Sequence, residues 1–357
     1  MRIAVDVSAL SHPRTGVGNY IRGSLAGLAE VAAGGHELVG FAPTSLKGPG
    51  RIRRALDGIP LDDLRLWPVP ASHVVRTAWS RLGRPAIERL LGPVDVLQFW
   101  DWWVPPQRAG VRATMVHDLV PVRFPEWVTP RTRSMHGFKY ARTAACDVVF
   151  VNSAYTGRDV VERLGVLEER IRIAPPGVEP VFTAQGERAD LGAPYILTVA
   201  TLEPRKNLGT LAAAHRLLGG NLLLAVAGGE GWGDQADLAG PRVTRLGFVS
   251  EEELARLYRG AAVAVYPSRF EGFGMPIIEA MACGVPVVAS AHASMDEAAG
   301  DVAVRADPDD AEAIARAIEE ALACRDELVP RGLEHARRFT WRAVGEAFLH
   351  GYLEAAR

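Results

Sequence analysis

Two glutamates, Glu271 and Glu279, lie eight residues apart around a glycine-containing turn in the stretch SRFEGFGMPIIEAMACGVPVVAS. Proline is favoured at the first helical position and glycine just past a helix end, so a helix is predicted from Pro276 to Gly284. Glu279 would lie one turn into it, among mostly apolar neighbours. A carboxylate in such surroundings needs hydrogen-bond donors, and the vicinal hydroxyls of a ribose would supply them. A solvent-facing Glu279 on an amphipathic helix fits those neighbours less well.

The turn before this helix predicts an anion site. The backbone N–H groups of Phe273, Gly274 and Met275 would lie at the helix N-terminus, which favours phosphate. Glu271 precedes them in the loop. The arrangement therefore favours ligand binding over a glycosidase-type pair of catalytic carboxylates.

Two adjacent cations, Arg205 and Lys206, follow the predicted strand YILTVA (195–200) and precede a helix. Cations in this position suit a diphosphate. Adjacent cations are also common on solvated turns, so the motif alone leaves both interpretations open.

Two further motifs follow predicted strands in the first half of the chain. His117 ends the strand in VHDLVP, where it could donate to a sugar hydroxyl or serve a structural role. Gly16 and Gly18 in TGVGNY would let the backbone approach a ligand closely. As a dinucleotide fingerprint this loop fails, because Ile21 replaces the third glycine and the loop begins well past the strand.

Length and composition limit the class of protein. A chain of 357 residues with 48% hydrophobic residues favours two domains, and a formal net charge of −2 argues against a general nucleic-acid binder. Three scattered cysteines without a CxxC motif predict reduced thiols in the cytosol. No apolar run approaches about 20 residues, so no membrane-spanning helix is expected, and MRIAVDVSAL is interpreted as a first strand.

Short apolar strands alternate with helical patterns in both halves of the chain, which predicts two parallel sheets covered on both faces. The predicted strands cover 3–7, 36–42, 95–100, 113–118, 147–152, 195–200, 221–228, 242–248, 261–268 and 285–290. The expected α/β architecture is two doubly wound, Rossmann-like domains facing across a cleft. Ligands of such sheets bind beyond the carboxyl ends of the strands.

The predicted boundaries follow the composition. Residues 1–175 form the first domain, the Pro- and Gly-rich segment 176–194 is interpreted as a linker, and 195–338 form the second domain. Residues 339–357 form a helix that is expected to pack back on the first domain.

The pattern E-G-F-G-x-P-x-x-E-A-M-A-x-G-x-P-V-V resembles the E-x7-E signature of retaining GT-B glycosyltransferases of family 4. The motifs GVGNYI, VHDL followed by FPEW, VNSAYTGRDVV, PPGVE, TLEPRKN, GGEGWG and LGFVSEEELARLYRGA occur in the family's order. The resemblance covers nearly the whole chain, and VHDL and TLEPRKN look most like the mannosyltransferase-type members.

The resemblance implies roles for the donor-binding residues. Glu279 would hold the ribose hydroxyls of a nucleotide-sugar. Glu271, with the amides of the following turn, would contact the donor sugar and phosphate, and Arg205 and Lys206 would neutralise the diphosphate leaving group. His117 would contact the donor sugar near the reacting carbon.

Two further roles and two departures follow from the same comparison. Gly16 would admit the distal phosphate, and Phe248 and Val249 would lie near the nucleobase. Many members carry a phosphate-binding arginine where this chain has Thr201, which leaves Arg205 as the candidate substitute. The segment 291–301 lacks the family's Gly-Gly, although Glu297 matches its acid.

The implied reaction is retaining transfer of a sugar from a nucleotide-diphosphate-sugar, GDP-mannose by the mannosyltransferase resemblance or else a UDP-sugar. The leaving phosphate would take the proton of the acceptor hydroxyl. Cations and N–H donors at the phosphates meet the electrostatic need, so no metal or other cofactor is expected. The Asp-x-Asp at 307–309 is interpreted as helix capping.

The acceptor is expected on the first domain. Trp100, Trp102 and Trp103 could stack on a sugar or aglycone, or pack inside the domain. The segment Lys47–Arg89 carries nine Lys/Arg against four Asp/Glu. It could contact an anionic membrane or a lipid-diphosphate acceptor, or form an ordinary solvated face.

Other classes of protein share parts of this pattern. A nucleotide-sugar epimerase could have the same architecture without needing an acceptor, and a non-catalytic nucleotide-sugar-binding protein could keep the same cleft. A dehydrogenase lacks support, since neither half carries the glycine fingerprint. The expected location is the cytoplasm, with or without peripheral contact at the inner membrane face, and no nucleic-acid partner is expected.

Overall fold

The computed structural model describes residues 1–12, 15–100, 102–231, 238 and 240–357. The chain forms two compact units, one of Met1–Gly177 with Thr340–Arg357 and one of Val178–Phe339. Within the described residues, no helix is both long and apolar enough to cross a membrane.

The described strands divide into seven in the first unit and six in the second. They are β1 Arg2–Asp6, β2 Glu37–Thr44, β3 Asp63–Pro68, β4 Val96–Phe99, β5 Val111–Val116, β6 Val148–Val151, β7 Ile171–Ile173, β8 Tyr195–Val199, β9 Leu223–Ala227, β10 Val243–Gly247, β11 Val263–Tyr266, β12 Val287–Ser290 and β13 Val304–Ala306.

The α-helices alternate with these strands. They are α1 Gly16–Ala32, α2 Gly48–Ala55, α3 Ser72–Leu82, α4 Glu88–Leu91, α5 Val120–Arg123, α6 Pro130–Thr143, α7 Ala154–Leu164, α8 Leu208–Leu217, α9 Glu251–Gly260, α10 Met275–Ala282, α11 Asp296–Ala299, α12 Ala311–Ala323, α13 Arg325–Ala336 and α14 Trp341–Ala355.

Both sheets are parallel throughout their described pairings, with orders β3-β2-β1-β4-β5-β6-β7 and β10-β9-β8-β11-β12-β13. The order reverses between β1 and β4 and between β8 and β11, as in a doubly wound fold, so this predicted fold class is confirmed in each unit. The central strands are apolar because helices cover both faces of each sheet; β4, β6 and β11 are buried along their whole length.

Three strands were not predicted from the sequence: β3, β7 and β13. Each lies at an edge of its sheet. Their residues are mostly half-buried, so they lack the continuous apolar run that marks a central strand.

The predicted linker, 176–194, is instead packed against the second unit from residue 178 onward. Phe182 is buried against the ring of Tyr258, with ring centroids 5.8 Å apart. Arg259 Nε donates to the carbonyl oxygen of Glu187 at 2.7 Å, and Ala189 N–H donates to the carbonyl oxygen of Arg256 at 2.9 Å. The polar composition of the segment conceals these anchors.

The C-terminal helix α14 packs on α1 within the first unit, and glycines make the contact possible. The Thr340 hydroxyl caps α14 by accepting from Ala343 N–H at 3.2 Å. A Cβ atom added at Gly27 would lie 1.8 Å from the carbonyl oxygen of Trp341, and one at Gly345 would lie 2.2 Å from the Gly27 backbone. Backbone meets backbone here, so neither helix can accommodate a side chain without moving.

Substitution Gly27→Ala is therefore expected to lower the free energy of unfolding of the first unit by about 3 kcal/mol, since the added methyl overlaps backbone atoms. Urea denaturation followed by tryptophan fluorescence measures this, because seven of the eight tryptophans fall in the first unit's residue ranges. The control is Gly16→Ala, where an added Cβ meets nothing within 4 Å. Equal stability of the two variants would contradict the packing account.

Candidate functional site

The candidate site of the second unit lies at the carboxyl ends of β8 and β11, the two neighbouring strands where the strand order reverses. β8 leads into a short 3-10 helix, Pro204–Lys206, and β11 leads into the loop 267–274. Arg269 N–H donates to the carbonyl oxygen of Arg205 at 2.8 Å and joins the two loops. The sheet topology thus brings together two motifs that lie more than 60 residues apart.

A carboxylate bridges the two adjacent cations at this edge. Arg205 Nη1 lies 2.6 Å from Glu271 Oε2, and Lys206 Nζ lies 2.7 Å from Glu271 Oε1. Lys206 Nζ also donates to the Tyr266 hydroxyl at 2.8 Å, and Arg205 Nε pairs with Glu203 at 2.9 Å. The sequence assigned Glu271 to the donor sugar; in the structure its carboxylate fixes the positions of both cations.

Burial and charge act in opposite directions on the ionisable groups of this cluster. Burial raises the pKa of Glu271, but the charges of Arg205 and Lys206 outweigh it and lower the pKa to about 2. Burial and the neighbouring Arg205 lower the pKa of Lys206, opposed by Glu271. Glu271 is therefore ionised at neutral pH, and the cluster presents charge at a site with little exposure to water.

The helix α10 begins beside this cluster and presents unused backbone donors. It starts at Met275, so Pro276 occupies its second position rather than the predicted first one. Gly274 precedes it with φ +105°, a conformation that side chains rarely adopt. Within the described residues, the N–H groups of Phe273, Gly274 and Met275 donate no hydrogen bond. The helix N-terminus is open to an anion.

Glu279 lies in α10 and is 8% exposed. The Tyr258 hydroxyl lies 3.2 Å from Glu279 Oε2 and 3.3 Å from the Pro276 carbonyl oxygen. Burial raises the pKa of Glu279 to about 8, and the negative charges of Glu251 and Glu179 add to the effect. A buried carboxylate of this kind gains stability when hydroxyl donors approach it.

Two supporting residues were missed in the sequence. The Ser294 hydroxyl accepts from Glu271 N–H at 3.1 Å and lies 2.9 Å from His292 Nδ1. The amide Nδ2 of Asn207 donates to the carbonyl oxygens of Pro267 and Pro308 at 3.1 and 2.6 Å, and the residue has φ +56°. Asparagine tolerates this left-handed conformation. The one local signal for this role of Asn207 was its position directly after Arg205 and Lys206, at the start of a predicted helix.

Phe248 and Val249 follow β10, the edge strand of the same sheet, with β9 between β10 and β8. Phe248 is 66% exposed, and Val249 is partly buried against the core of the second unit. The first four residues of the motif GGEGWG follow β9; its Trp232 and Gly233 lie outside the described residues.

In the first unit, His117 follows β5 at the carboxyl edge of the sheet. Its ring packs edge-on against Tyr20 at a centroid distance of 5.0 Å, and its Nε2 atom is buried without a hydrogen-bond partner among the described residues. Burial, and secondarily the charge of Lys139, lower the pKa of His117 to about 3. The ring is neutral at pH 7, and a ligand hydroxyl would satisfy Nε2.

The N-terminal loop places Gly16 at the first position of α1, behind the Thr15 cap whose hydroxyl accepts from Gly18 N–H at 3.2 Å. Gly16 is exposed, and packing within the described residues does not require a glycine there.

The three candidate acceptor tryptophans differ in burial. Trp103 is fully buried and donates to Asp6 Oδ2 at 2.7 Å, and Trp100 is buried against Tyr20 and Phe348. For Trp100 and Trp103, the structure therefore favours packing inside the domain over stacking on an acceptor. Trp102 is 8% exposed but lines a cavity of about 220 Å³ together with His73 and Arg131. It therefore stays the acceptor candidate.

The basic segment Lys47–Arg89 forms α2, β3 and α3 of the first unit. One of its cations, Arg76, is buried, lies 4.8 Å from the Trp102 ring centroid and donates to the Ser8 hydroxyl at 2.8 Å. The surface of α3 also exposes Val74 and Leu82, at 59% and 69%. The segment thus combines exposed apolar side chains with exposed cations.

The two parallel, doubly wound sheets belong to the GT-B fold class. The sucrose-phosphate synthase of Thermosynechococcus elongatus has the same fold, with a TM-score of 0.72 at 22% identity over 99% of this chain and 98% of that one.

Two sequence profiles cover nearly all of the chain. Residues 14–182 match the family described as Glycosyltransferase Family 4, and residues 183–340 match Glycosyl transferases group 1. The chain belongs to family 4 of the glycosyltransferases, as the motifs predicted.

Relatives named mannosyltransferase are among the similar proteins. The O-antigen chain mannosyltransferase B of Escherichia coli is 40% identical over 172 residues, which are 44% of this chain and 45% of that protein. A serotype-specific mannosyltransferase WbdA of Escherichia coli is 27% identical over 270 residues, 66% of this chain and 32% of that protein. The matches thus span less than half the length of these relatives.

Proposed function

We propose that this protein is a retaining hexosyltransferase that moves a sugar from a nucleotide-diphosphate-sugar to an acceptor hydroxyl. The observation that carries the proposal is the joint placement of Arg205, Lys206 and the open N-terminus of α10 at one sheet edge, with the buried Glu279 one turn further on. The two cations and the helix N-terminus suit a diphosphate, and Glu279 suits a ribose diol.

In the proposed reaction, the bond between the sugar's anomeric carbon and the diphosphate oxygen breaks as the acceptor oxygen bonds to the same face of that carbon. The acceptor proton passes to the leaving phosphate. Arg205, Lys206 and the α10 N–H groups stabilise the negative charge that grows on the diphosphate. His117, neutral and with no partner for Nε2 among the described residues, would hydrogen-bond to a donor-sugar hydroxyl.

The proposed donor is GDP-mannose, because relatives of this chain are named mannosyltransferases. A UDP-sugar is the alternative within the same chemistry. The exposed Phe248 ring, just past the edge strand β10 of the same sheet, is available to stack on the nucleobase.

The proposed acceptor is a glycan, free or lipid-linked, recognised by the first unit. Trp102 offers an aromatic face in a cavity that also contains the cationic Arg131 and Arg81. Val74, Leu82 and the neighbouring cations of α3 suit a peripheral contact with an anionic membrane, where a lipid-linked acceptor would lie.

A thermal-shift panel of nucleotide-sugars and nucleoside diphosphates, followed by product analysis, tests the proposal. A donor at 100 times its Kd stabilises the folded protein by about 2.7 kcal/mol. GDP-mannose is expected to raise Tm and to yield a glycoside when an acceptor is present. Conversion to an isomeric nucleotide-sugar without acceptor would indicate an epimerase, and binding without turnover would indicate a non-catalytic binding protein; either outcome would overturn the proposal.

The proposed chemistry predicts that divalent metal is dispensable, because protein cations and N–H donors already face the leaving diphosphate. EDTA at about 5–10 mM is a large excess over any metal bound to the protein. Transfer rates in this buffer are expected to stay within about twofold of the rates in buffer with Mg²⁺. Loss of activity in EDTA that Mg²⁺ or Mn²⁺ restores would contradict this prediction.

A further inference from the structure

A second cationic cavity lies in the second unit, at the opposite end of α10 from the candidate donor site. Its volume is about 260 Å³. Arg188, Arg259 and Arg325 line it, with Cys283 just past the last turn of α10 and Asp326 in the first turn of α13. The eight residues of α10 separate this cavity from the α10 N-terminus by roughly 12 Å.

Among the described residues, no ion pair neutralises the positive charge of this cavity. None of the three arginines forms a salt bridge within that part of the chain, and Asp326 is the one acidic residue of the described lining. Burial lowers the pKa of Arg325, the charge of Arg188 lowers it further, and the charge of Asp326 opposes both. Like charges are therefore held together here, an arrangement that an anion would stabilise.

The backbone fixes two of these guanidinium groups. Arg259 Nε donates to the Glu187 carbonyl oxygen, and Arg325 Nη1 donates to the Ala262 carbonyl oxygen, both at 2.7 Å. Arg259 Nη1 makes longer bonds to the carbonyl oxygens of Val181 and Thr183, at 3.5 and 3.3 Å. Within the described residues, Nη2 of each of these arginines and the whole Arg188 guanidinium make no hydrogen bond. The cavity also lies at the N-terminus of α13, a 12-residue helix whose dipole favours an anion.

We propose that this cavity is a binding site for a small phosphate-bearing molecule of hexose-phosphate size, separate from the candidate donor site. Arginine is suited to this role because its planar fork holds two phosphate oxygens at once. The cavity is smaller than the roughly 300–1,000 Å³ of sites for drug-sized ligands, which favours a sugar phosphate over a nucleotide. The inference does not depend on the proposed function, since it uses none of the donor-site residues.

Isothermal titration of the full chain with glucose 6-phosphate, and competition by inorganic phosphate, test the proposal. Wild type is expected to bind one equivalent, with phosphate competing for the site. Arg188→Glu is expected to lower the affinity at least about 30-fold; Arg188 is exposed and makes no hydrogen bond to the described residues, so the fold does not depend on it. Arg325→Gln is the second variant.

Two control variants separate this site from its surroundings. Lys206→Met, at the candidate donor phosphate site, and Arg316→Glu, at an exposed arginine of α12, are expected to leave the affinity for glucose 6-phosphate within about twofold of wild type. The proposal is overturned if wild type does not bind glucose 6-phosphate at about 10 mM, a concentration that detects a Kd a thousandfold weaker than about 10 μM. It is also overturned if phosphate does not compete, or if Arg188→Glu binds as wild type does. Loss of binding in Lys206→Met would assign the probe to the donor site instead.

A vesicle experiment distinguishes a free sugar phosphate from a lipid headgroup. Vesicles of phosphatidylcholine with phosphatidic acid are mixed with wild type and with Arg188→Glu in a sedimentation assay. If the cavity binds a free sugar phosphate, wild type and Arg188→Glu are expected to sediment equally. Sedimentation of wild type that Arg188→Glu abolishes would overturn it.

Discussion

Replacing Lys206 by methionine is expected to lower the turnover number about 100-fold, because it removes one of the two side-chain cations that face the leaving diphosphate. Methionine keeps most of the buried stem of lysine. Glu271 retains its bond to Arg205 at 2.6 Å, so its carboxylate keeps a charged partner. The loss should therefore appear in turnover far more than in folding stability.

The measurement is steady-state transfer with saturating donor, alongside the thermal midpoint of each protein. Arg316→Met is the matched control, since Arg316 forms surface ion pairs with Asp310 and Glu312 at α12 and its side chain is 65% exposed. The control should keep wild-type turnover. A Lys206→Met enzyme with wild-type turnover would remove Lys206 from the account of leaving-group stabilisation.

Replacing Glu279 by glutamine is expected to weaken nucleotide-sugar binding about 30-fold, or roughly 2 kcal/mol, because a charge-assisted hydrogen bond to the ribose is lost. Glutamine has the same shape and can still accept from Tyr258. Because burial raises the pKa of Glu279 to about 8, the neutral amide should leave the ligand-free protein at least as stable as wild type. Titration calorimetry and thermal denaturation measure the two effects.

The same carboxyl predicts a pH dependence. Its folded-state pKa of about 8 is above its ordinary value of 4.5, so its contribution to stability is fully present below pH 4.5 and is lost as the pH rises through 8. A ribose diol binds the ionised form, so binding releases one proton. Donor affinity should therefore increase by up to about tenfold per pH unit between about pH 6 and 8, and then level off.

Glu279→Gln should abolish this rise, while the exposed Glu312→Gln should preserve it. A nucleotide-sugar is the appropriate ligand for this measurement. Its diphosphate is esterified at both ends, so it lacks the second phosphate ionisation near about pH 6 and does not titrate in this range. An identical pH profile in wild type and Glu279→Gln would place the ribose elsewhere.

Hydrophobic periodicity predicted the central strands of both sheets because these strands are buried on both faces. The edge strands β3, β7 and β13 escaped prediction for the converse reason: one side of each lacks a neighbouring strand, and their residues are mostly half-buried. Composition likewise suggested a linker at 176–194, although a single aromatic, Phe182, anchors that segment in the second unit. Local sequence patterns predict which residues are buried, but they do not predict contacts between residues far apart in the sequence.

The candidate site shows the same division. The apolar neighbours of Glu279 predicted its burial, and the Gly-Met-Pro sequence predicted the helix start to within one residue. The bridge from Glu271 to Arg205 and Lys206 joins positions 66 and 65 residues apart, and no local pattern contains it. For the same reason, Trp103 was an acceptor candidate on the basis of residue type, whereas its bond to Asp6, 97 residues away, gives it a place in the interior.

The most direct test of the central claim is the anomeric configuration of the product. Wild type is incubated with GDP-α-mannose and mannoside acceptors, and the new glycosidic bond is assigned by the one-bond C–H coupling of its anomeric carbon in NMR. Retaining transfer by this family 4 protein predicts an α-linked product that is reduced about 100-fold in Lys206→Met (the loss expected for one transition-state donor). A β-linked product, or an isomerised nucleotide-sugar formed without acceptor, would contradict the account.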